Sequence, residues 1–198
     1  MLNRSLKPIL LSTERLLIRT YLTVDAPQLH RFVMDNQELL FDTGPLTLGS
    51  NQTEADSEEF IRARNRDRQR GRWAWNAVFR KEDLAFVGQI VLTRLDGWPK
   101  RGEIGYFIAR QHHGKGYATE AVQCAIEYCF TELEMHKVFL RIKPDNQASL
   151  RVAEKLGFDR LLLRKNDFQN FHGEWLDSVY LSRPAPKSWL AWLVRPHG

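Results

Sequence analysis

The sequence predicts a single α/β (α+β) domain with a central mixed, mostly antiparallel sheet of about seven strands and helices on both faces. Three observations favour this fold class. The 198 residues are enough for one domain with a sizeable core. Short stretches that alternate in hydrophobicity are interleaved with amphipathic stretches of helical period. Their order along the chain is β-α-α-β-β-β-α-β-α-β-β, which fits one mixed sheet covered by helices.

Composition and charge narrow the class of protein. Hydrophobic residues make up 43% and charged residues 27%, which is typical of a soluble globular protein. No apolar run approaches the roughly 20 residues that span a bilayer, and the N-terminus lacks the apolar core of a secretory signal. We therefore expect a cytoplasmic protein that does not enter membranes. The net charge of +5 and pI of about 9.4 favour an anionic cofactor or acidic partner, and we do not expect direct nucleic-acid binding.

The N-terminal third predicts one strand and two helices. Thr13–Tyr21 alternates as a strand, and a helix follows over roughly Asp25–Met34. Asp42–Gln52 is rich in Gly, Pro, Thr and Ser and is predicted as a loop. The second helix covers Glu54–Arg70. Arginines at every second position from 62 to 72 fan around it, either as solvated surface or as a dock for an acidic substrate or ribosomal RNA.

Three strands are predicted in the middle of the chain. Trp73–Arg80 and Ala85–Arg94 form an antiparallel pair across a polar turn, and Glu103–Ala109 is the next strand. Gly88, inside the second of these, indicates a bulge or a close backbone approach. The alternating Trp73 and Trp75 lie on one face, either as core or as a wall of the acceptor groove.

The helix that opens at Gly116 has the clearest amphipathic pattern. Its predicted buried face consists of Ala118, Ala121, Val122, Ala125, Ile126 and Cys129. Cys124 and Cys129, the only cysteines, point in different directions, so we predict core packing and no disulfide. Neither has a His or Cys partner at metal-ligand spacing, so no metal site is expected.

The C-terminal third predicts three strands, one short helix and an apolar tail. Lys137–Lys143 is a strand, and Asn146 caps a helix that ends at Gly157. Phe158–Lys165 and Trp175–Arg183 form the last strand pair. The tail, residues 184–198, carries two tryptophans and three aliphatic residues close together. We expect it to pack back on the domain or to cover a partner subunit, so a homodimer is left open.

A basic, glycine-containing turn, Gln111–Gly116, joins a strand directly to a helix. Unpaired N–H groups at a helix N-terminus form a site for anionic phosphates. The turn is not a Walker loop, and it lacks the G-x-G-x-x-G dinucleotide pattern. Taken alone, it indicates only a generic phosphate site or a plain strand–helix junction.

Its neighbours make the pattern specific. The E-I-G-Y strand, the Q-x-x-G-x-G turn, the A-T-E-A helix and P-D-N-Q-A-S…E-K-L-G-F together resemble the GNAT (Gcn5-related) N-acetyltransferase family. More narrowly, they resemble its Rim type, the ribosomal-protein N-terminal acetyltransferases. The resemblance extends from Thr13 to the closing G-E-W-L-D. It implies one acetyltransferase domain over residues 1–198 and acetyl-CoA as co-substrate.

The resemblance also implies where acetyl-CoA binds. The pyrophosphate is expected on the backbone amides from His112 to Ala118, and the pantetheine arm along the strand end. The N–H of Phe107 or Ile108 would polarise the thioester carbonyl, and Asn146 would contact CoA, cap its helix, or both. The expected cofactor-binding residues are Phe107, Ile108, Ala109, Gln111, His112, His113, Gly114, Lys115, Gly116, Tyr117, Ala118, Thr119 and Asn146.

Two residues are candidates for the proton transfers. Glu103, on the strand beside the thioester site, is predicted to be the general base acting through water, or else a structural strand residue. In many members of the family a Tyr four residues before the Gly of the final G-F serves as the general acid, but that position here is Ala153. Rim-type chains instead carry a Ser in an N-x-x-S pattern, which Ser149 matches. Ser149 is thus the predicted donor to the CoA sulfur, or else a structural helix residue.

The acceptor is the least determined part. An α-amino group with pKa near 8 is roughly 10% neutral at pH 7, whereas a Lys amine is neutral far more rarely. A site without the Tyr favours the easier nucleophile. We therefore predict N-acetyl transfer to the α-amino group of a protein N-terminus of the ribosomal-protein type. A small-amine or antibiotic N-acetyltransferase and a non-catalytic acyl-CoA-binding module are the alternatives.

Overall fold

The computed structural model describes residues 6–71, 73–95 and 100–187. Residues 188–198, which are most of the predicted tail, and Arg72 of the arginine series lie outside the described residues. Within the described residues, no helix is both long and apolar enough to cross a bilayer.

Among the residues that the structure describes, the strands are β1 Leu10–Ser12, β2 Leu16–Thr20, β3 Trp73–Arg80, β4 Phe86–Leu95, β5 Arg101–Ile108, β6 Lys137–Ile142, β7 Asp159–Gln169 and β8 Trp175–Pro184. They form one sheet in the order β1-β2-β3-β4-β5-β6-β8-β7, and every neighbouring pair is antiparallel except β5 and β6. The predicted strand pattern is thus confirmed, with one strand more than the seven expected. The additional strand is β1, whose three residues are too few to show an alternating pattern; Leu11 pairs with Ile18.

In the part of the chain that the structure describes, six α-helices cover the two faces of the sheet: α1 Ala26–Asp35, α2 Gln37–Thr43, α3 Pro45–Gly49, α4 Glu54–Gln69, α5 Tyr117–Thr131 and α6 Gln147–Lys155. The prediction of a loop over Asp42–Gln52 was wrong in part, because the end of α2 and all of α3 lie there. Turn-forming residues sit at the junction: Gly44 separates the helices, and Pro45 takes the first helical position, where its missing N–H costs nothing. Burial of Leu40 and Leu48 stabilises both short helices.

Two hydrophobic cores lie on opposite faces of the sheet. The larger one packs α5 and α6 against the strands, and Cys129 is buried in it while Cys124 is half-buried. The amphipathic face predicted for α5 therefore faces the core. The smaller core packs α1 and α4 against the other face and includes Phe60 and Trp75. Both faces of the sheet are thus covered by helices that pack on a hydrophobic core.

The arginines of α4 are used largely within the fold. Arg68 is buried and donates to the Leu6 carbonyl. Arg64 lies over the ring of Trp75 and pairs with Asp67. Arg62 pairs with Glu58 one helical turn away. At least three members of the series therefore have structural partners, which weakens the case for this helix as a docking surface.

The parallel strands β5 and β6 separate soon after they begin. They pair only over Arg101–Glu103 and Lys137–Phe139, although β5 continues to Ile108 and β6 to Ile142. The middle of the sheet therefore opens into a V-shaped gap.

On the other side of β5, Gly88 of β4 lies against its backbone. A Cβ atom at Gly88 would come within 2.1 Å of the Phe107 carbonyl oxygen. The close backbone approach predicted for this glycine is thus present. It fixes the strand that forms one wall of the gap.

Candidate active site

A cavity of about 650 Å³ occupies the gap between β5 and β6. The N-terminus of α5 lies at one end, α6 lines one side, and Leu39 and Thr43 of α2 border the other. Most of the residues predicted for cofactor binding line it, namely Phe107, Ile108, His112, His113, Gly114, Gly116, Tyr117, Ala118, Thr119 and Asn146. Ala109, Gln111 and Lys115 do not.

The glycine turn has the geometry of an anion site. A short 3₁₀ turn, Arg110–His112, follows β5, and α5 then begins at Tyr117. Gly114 and Gly116 adopt φ angles of +74° and +80°, which only glycine adopts without strain. Gly116 is the N-cap of α5 and has no side chain to satisfy the first N–H groups. Those donors and the positive end of the helix dipole are thus available to phosphate.

Arg15 and Glu120 tie this turn to the N-terminal strand, a connection that the sequence analysis missed. The Arg15 Nε donates to Glu120 Oε2 at 2.7 Å, and its Nη1 donates to the Lys115 carbonyl at 2.9 Å. Thr13 Oγ1 also donates to Glu120, at 2.5 Å. Arg15 further lies over the Tyr117 ring. Thr13 and Arg15 lie in the segment predicted as the first strand, and nothing in the spacing of its residues indicated this contact.

The two histidines of the turn have different surroundings. His113 Nε2 lies 2.8 Å from the Ile108 carbonyl oxygen, so its ring links the turn to the end of β5. His112 is buried. Burial, followed by the nearby charges of Lys115 and Arg80, lowers the pKa of His112. This ring is therefore predominantly neutral at pH 7.

The ladder between β4 and β5 shows which backbone groups face the gap. The Ala109 N–H donates to the Val87 carbonyl at 2.9 Å, and its own carbonyl accepts from His112. Because residues of a strand alternate in direction, the N–H of Phe107 also points toward β4, at Gln89. The N–H of Ile108 points toward the gap. Of the two amides predicted to polarise the thioester, the geometry therefore favours that of Ile108, and it leaves no free N–H on Ala109.

Glu103 lies where the gap begins, on the same face of β5 as Phe107 by strand alternation. Its Oε1 is 3.4 Å from Arg141 Nε on β6, and Arg141 Nη1 is 3.6 Å from Asp167 Oδ2 on β7. Burial raises the pKa of Glu103, the Arg141 charge lowers it, and the Asp167 charge raises it, with a net upward shift. Arg141 was not among the predicted site residues. In the sequence it is marked only by its charge within the alternating strand K-V-F-L-R-I-K.

Ser149 and Asn146 lie together at the start of α6. The Asn146 side chain accepts a hydrogen bond from the Ser149 N–H at 3.0 Å, so the predicted capping role is present. Ser149 also lies next to the phenol of Tyr106, a second residue that the sequence analysis missed. Burial raises the pKa of Tyr106 to about 12, and the Ser149 hydroxyl partly opposes this. The two hydroxyls are nevertheless not aligned as a formed hydrogen bond, since the buried Tyr106 Oη has no such partner among the described residues.

The two predicted proton-transfer residues lie on opposite faces of the sheet. Glu103 shares the face of Phe107, which packs against the core beneath α1 and α4. Ser149 projects from α6, which packs on the other face with Ile104 and Tyr106. Ala153, where many relatives carry Tyr, is fully buried. A group held in the gap would thus have a carboxylate on one side and a hydroxyl on the other.

Both predicted tryptophans line the cavity. Trp73 is 40% exposed, whereas Trp75 is buried and packs against Phe60. Lys143, the residue after β6, pairs with Asp42 of α2 at 2.5 Å. Because this ion pair joins α2 to the end of β6, it fixes the helix beside the cavity.

No group of three His, Cys, Asp or Glu side chains is arranged to hold a metal ion in the described part of the chain.

Comparison with known proteins agrees with this architecture. Residues 15–159 match the family model described as an acetyltransferase (GNAT) domain. The probable N-acetyltransferase YjcK of Bacillus subtilis (strain 168) is 36% identical over 107 residues, which are 53% of this chain and 58% of that protein. The chain thus matches little more than half the length of that curated relative.

Two further proteins bear on the fold and the family type. The ribosomal-protein-serine acetyltransferase of Escherichia coli (strain K12) is 28% identical over 107 residues, 54% of this chain and 59% of that protein. The structure of Mycobacterium smegmatis RimJ in complex with CoA-disulfide superposes with a TM-score of 0.79 at 22% identity, covering 98% of this chain and 96% of that one. The family model spans more than half of the sequence, and the fold agrees with it: the chain belongs to the GNAT acetyltransferase family.

Proposed function

We propose that this protein is an acetyl-CoA-dependent N-acetyltransferase that transfers an acetyl group directly to the α-amino group of a protein N-terminus, of the ribosomal-protein type. One observation carries the proposal. The gap between β5 and β6 has an anion-binding turn at one end, with a carboxylate and a hydroxyl on its opposite faces. That arrangement suits an acyl transfer in which donor and acceptor arrive from different sides of the sheet.

The residues of the gap fit acetyl-CoA, which supplies an acetyl group activated as a thioester. The amides that follow Gly114 and open α5 would hold its pyrophosphate. The N–H of Ile108 would hydrogen-bond the thioester carbonyl oxygen, where negative charge develops during attack. Asn146 lines the same cavity and would orient the pantetheine end.

The chain's own groups then account for the two proton movements. Glu103 would take the proton of the attacking amine through a water, because its raised pKa makes it a stronger base than an exposed carboxylate. Ser149 would donate a hydrogen bond to the departing sulfur, assisted by the positive end of α6.

Direct transfer also fits the state of the two cysteines. Burial raises the pKa of Cys129 to about 12 and also raises that of Cys124. Neither lines the cavity. The thiols therefore do not support a covalent acetyl-enzyme route, which needs an accessible thiolate.

The lining of the cavity favours a peptide over a polycationic small molecule. One carboxylate, Glu103, lines the cavity together with the cationic side chains of Arg141, Lys143, Arg151 and Lys155. Arg141 and Lys143 are themselves paired with Asp167 and Asp42, so Glu103 is the one carboxylate of the described lining that could receive a cation. A polyamine or polycationic antibiotic needs several such anions, whereas a peptide brings one ammonium group and a neutral backbone. The ribosomal-protein-serine acetyltransferase among the relatives supports the same class of acceptor. The cytoplasmic location stays a prediction that accords with such an acceptor.

The test combines an acceptor survey with one variant. Purified protein and acetyl-CoA are incubated with peptides that carry a free N-terminus, the same peptides with a blocked N-terminus and an internal Lys, a polyamine and a cationic antibiotic. Mass spectrometry is expected to find acetylation of free N-termini alone. Acetylation of the small amines alone would favour the antibiotic or small-amine alternative.

Glu103→Gln separates an enzyme from a binding module. The variant is expected to retain acetyl-CoA affinity in calorimetry and to lose at least about 100-fold in kcat, within the range for a general base. If the wild-type protein binds acetyl-CoA and acetylates none of the acceptors, the non-catalytic alternative is the better description.

A further inference from the structure

We propose that Arg141 is a positioning residue for the reaction: it holds the Glu103 carboxylate at the mouth of the gap, and Asp167 in turn holds Arg141. The inference rests on the proposed function, since it concerns the same site. It assigns a role to a charged relay whose members come from three strands: Glu103 on β5, Arg141 on β6 and Asp167 on β7, beyond the intervening β8.

The relay depends on an irregularity in β7. The register between β7 and β8 shifts between Arg164 and Phe168, so the intervening residues bulge out of the regular ladder. A bulge redirects a side chain, and Asp167 lies in this one. Its carboxylate accepts hydrogen bonds from Ser178 Oγ at 2.6 Å and from the Tyr180 hydroxyl at 3.2 Å. Asp167 is thus a fixed anion, only 8% exposed in its side chain.

Arg141 occupies the position between this anion and Glu103. It lies directly opposite Tyr180 in the β6–β8 ladder, and its guanidinium lies 5.7 Å from the centre of the Phe168 ring. Its side chain also lines the cavity. With an aromatic ring and a fixed anion beside it, the guanidinium has a restricted orientation.

The contact with Glu103 is loose enough to leave the carboxylate accessible. The separation of 3.4 Å exceeds the roughly 2.7–2.9 Å of a close charge-assisted hydrogen bond. Arg141 therefore favours the ionised form of Glu103 while leaving its carboxylate room for the water through which it would act. A bond at full strength would instead occupy the oxygen that must accept the proton.

The charges acting on Glu103 make opposite contributions. Arg141 from β6 stabilises the ionised form, and Asp167 from β7 destabilises it. From β4, the residue directly opposite Glu103 is the uncharged Thr93. Removing Arg141 or Asp167 should consequently move the ionisation of Glu103 in opposite directions. A merely structural role for the two residues gives no reason for opposite signs.

The experiment measures kcat/KM for an acceptor peptide against pH in the full-length chain. In Arg141→Gln, the acid limb of the kcat/KM profile is expected to shift to higher pH by about one unit, since a neighbouring cation lowers a carboxyl pKa by one or more units. The maximal kcat/KM should also fall. Arg141→Lys should reverse part of the shift and recover part of the maximal kcat/KM. Asp167→Asn should move the acid limb downward.

Arg164→Gln is the matched control. Arg164 also pairs with Asp167, at 3.8 Å, but it is 57% exposed and does not act on Glu103, so its variant should leave the acid limb in place. An unmoved acid limb in Arg141→Gln would overturn the proposal, as would shifts of the same sign in Arg141→Gln and Asp167→Asn. Loss of turnover in Asp167→Asn with full turnover in Glu103→Gln would also overturn it, because Asp167 would then be the base.

A second measurement does not depend on activity. NMR titration of the Glu103 carboxyl carbon, without acceptor, should show the same two opposite shifts in the variants. If these shifts occur in a protein that transfers no acetyl group, the relay stands and the proposed function fails. If transfer occurs and Glu103 titrates identically in all variants, the proposed function stands and the relay fails.

Discussion

Arg15 and Glu120, 105 residues apart, form an ion pair of 2.6 Å that joins the start of β2 to the first turn of α5. The Arg15 backbone N–H donates to the same carboxylate at 2.9 Å. Glu120 therefore binds both the side chain and the backbone of the N-terminal strand. Because Arg15 also donates a hydrogen bond to the Lys115 carbonyl, this pair fixes the position of the glycine turn, Gln111–Gly116, against the sheet.

Loss of the Arg15 side chain should loosen that turn. In Arg15→Ala we expect the free energy of unfolding to fall by about 1.5 kcal/mol, the lower end of the range for hydrogen bonds to charged groups, because the Arg15 side chain is 45% exposed. The KM for acetyl-CoA should rise several-fold. Denaturant unfolding and steady-state kinetics measure the two effects. Arg62→Ala is the control, since its exposed pair with Glu58 should change stability by less than about 0.5 kcal/mol. Equal effects in both variants would contradict the role of Arg15.

The same pair makes stability depend on pH. Burial raises the pKa of Glu120, but the hydrogen bonds from Thr13 and Arg15 outweigh it, and the net pKa is lowered. A lowered carboxyl pKa stabilises the fold above the unfolded-state value of about 4.3, and this contribution is lost as the pH falls through the folded-state pKa. The wild type should therefore be more stable than Glu120→Gln at pH 7 but not in strong acid. Denaturant unfolding from pH 3 to 7 measures this; a pH-independent difference would refute it.

The two interior glycines of β4 and β5 should respond differently to alanine. At Gly88 a Cβ would meet the Phe107 carbonyl oxygen at 2.1 Å, a backbone atom that cannot move aside. At Gly105 the nearest atom would be the Val91 Cβ at 3.7 Å, an ordinary contact. We expect Gly88→Ala to lower the melting temperature by several degrees and to impair acetyl-CoA binding, and Gly105→Ala to leave the melting temperature nearly unchanged. Thermal melts measure the change in stability, and calorimetry measures acetyl-CoA binding. An unchanged melting temperature in Gly88→Ala would show that β4 and β5 can move apart to admit the methyl group.

Trp73 and Trp75 should separate substrate binding from stability. Trp75 is buried against Phe60 and beneath Arg64, so Trp75→Ala should cost about 3–5 kcal/mol of unfolding free energy. Trp73 is 40% exposed at the cavity wall, so Trp73→Ala should leave stability nearly unchanged and raise the KM for the acceptor peptide. An unchanged KM would remove Trp73 from the acceptor groove.

Much of the fold could be predicted because its elements are long and regular. The amphipathic face of α5 and the alternation of Trp73–Arg80 each define an element from local sequence alone. The three residues of β1 and the five of α3 could not be recognised, since elements so short take their structure from their partners. Pro45 also looked like a loop residue, although proline suits the first position of a helix.

The strand–turn–helix junction at Gln111–Gly116 could be predicted for a similar reason, because it is one continuous segment with a characteristic pattern. Arg141 and Tyr106 could not be found that way, since each reaches the site through contacts between distant strands and helices. The direction of the Phe107 and Ile108 amides likewise follows from the register with β4, which no local pattern contains. Side chains that work across the sheet therefore required the structure.

The short seam between β5 and β6 has a thermodynamic consequence. Three residue pairs, Arg101–Glu103 with Lys137–Phe139, are the direct backbone connection between a five-stranded and a three-stranded half-sheet within the described residues. A ligand with amide groups of its own that bound between these halves would act as a missing strand. The free energy of binding would then also stabilise the sheet against unfolding. At a concentration of 100 times its Kd, such a ligand would add about 2.7 kcal/mol to the free energy of unfolding.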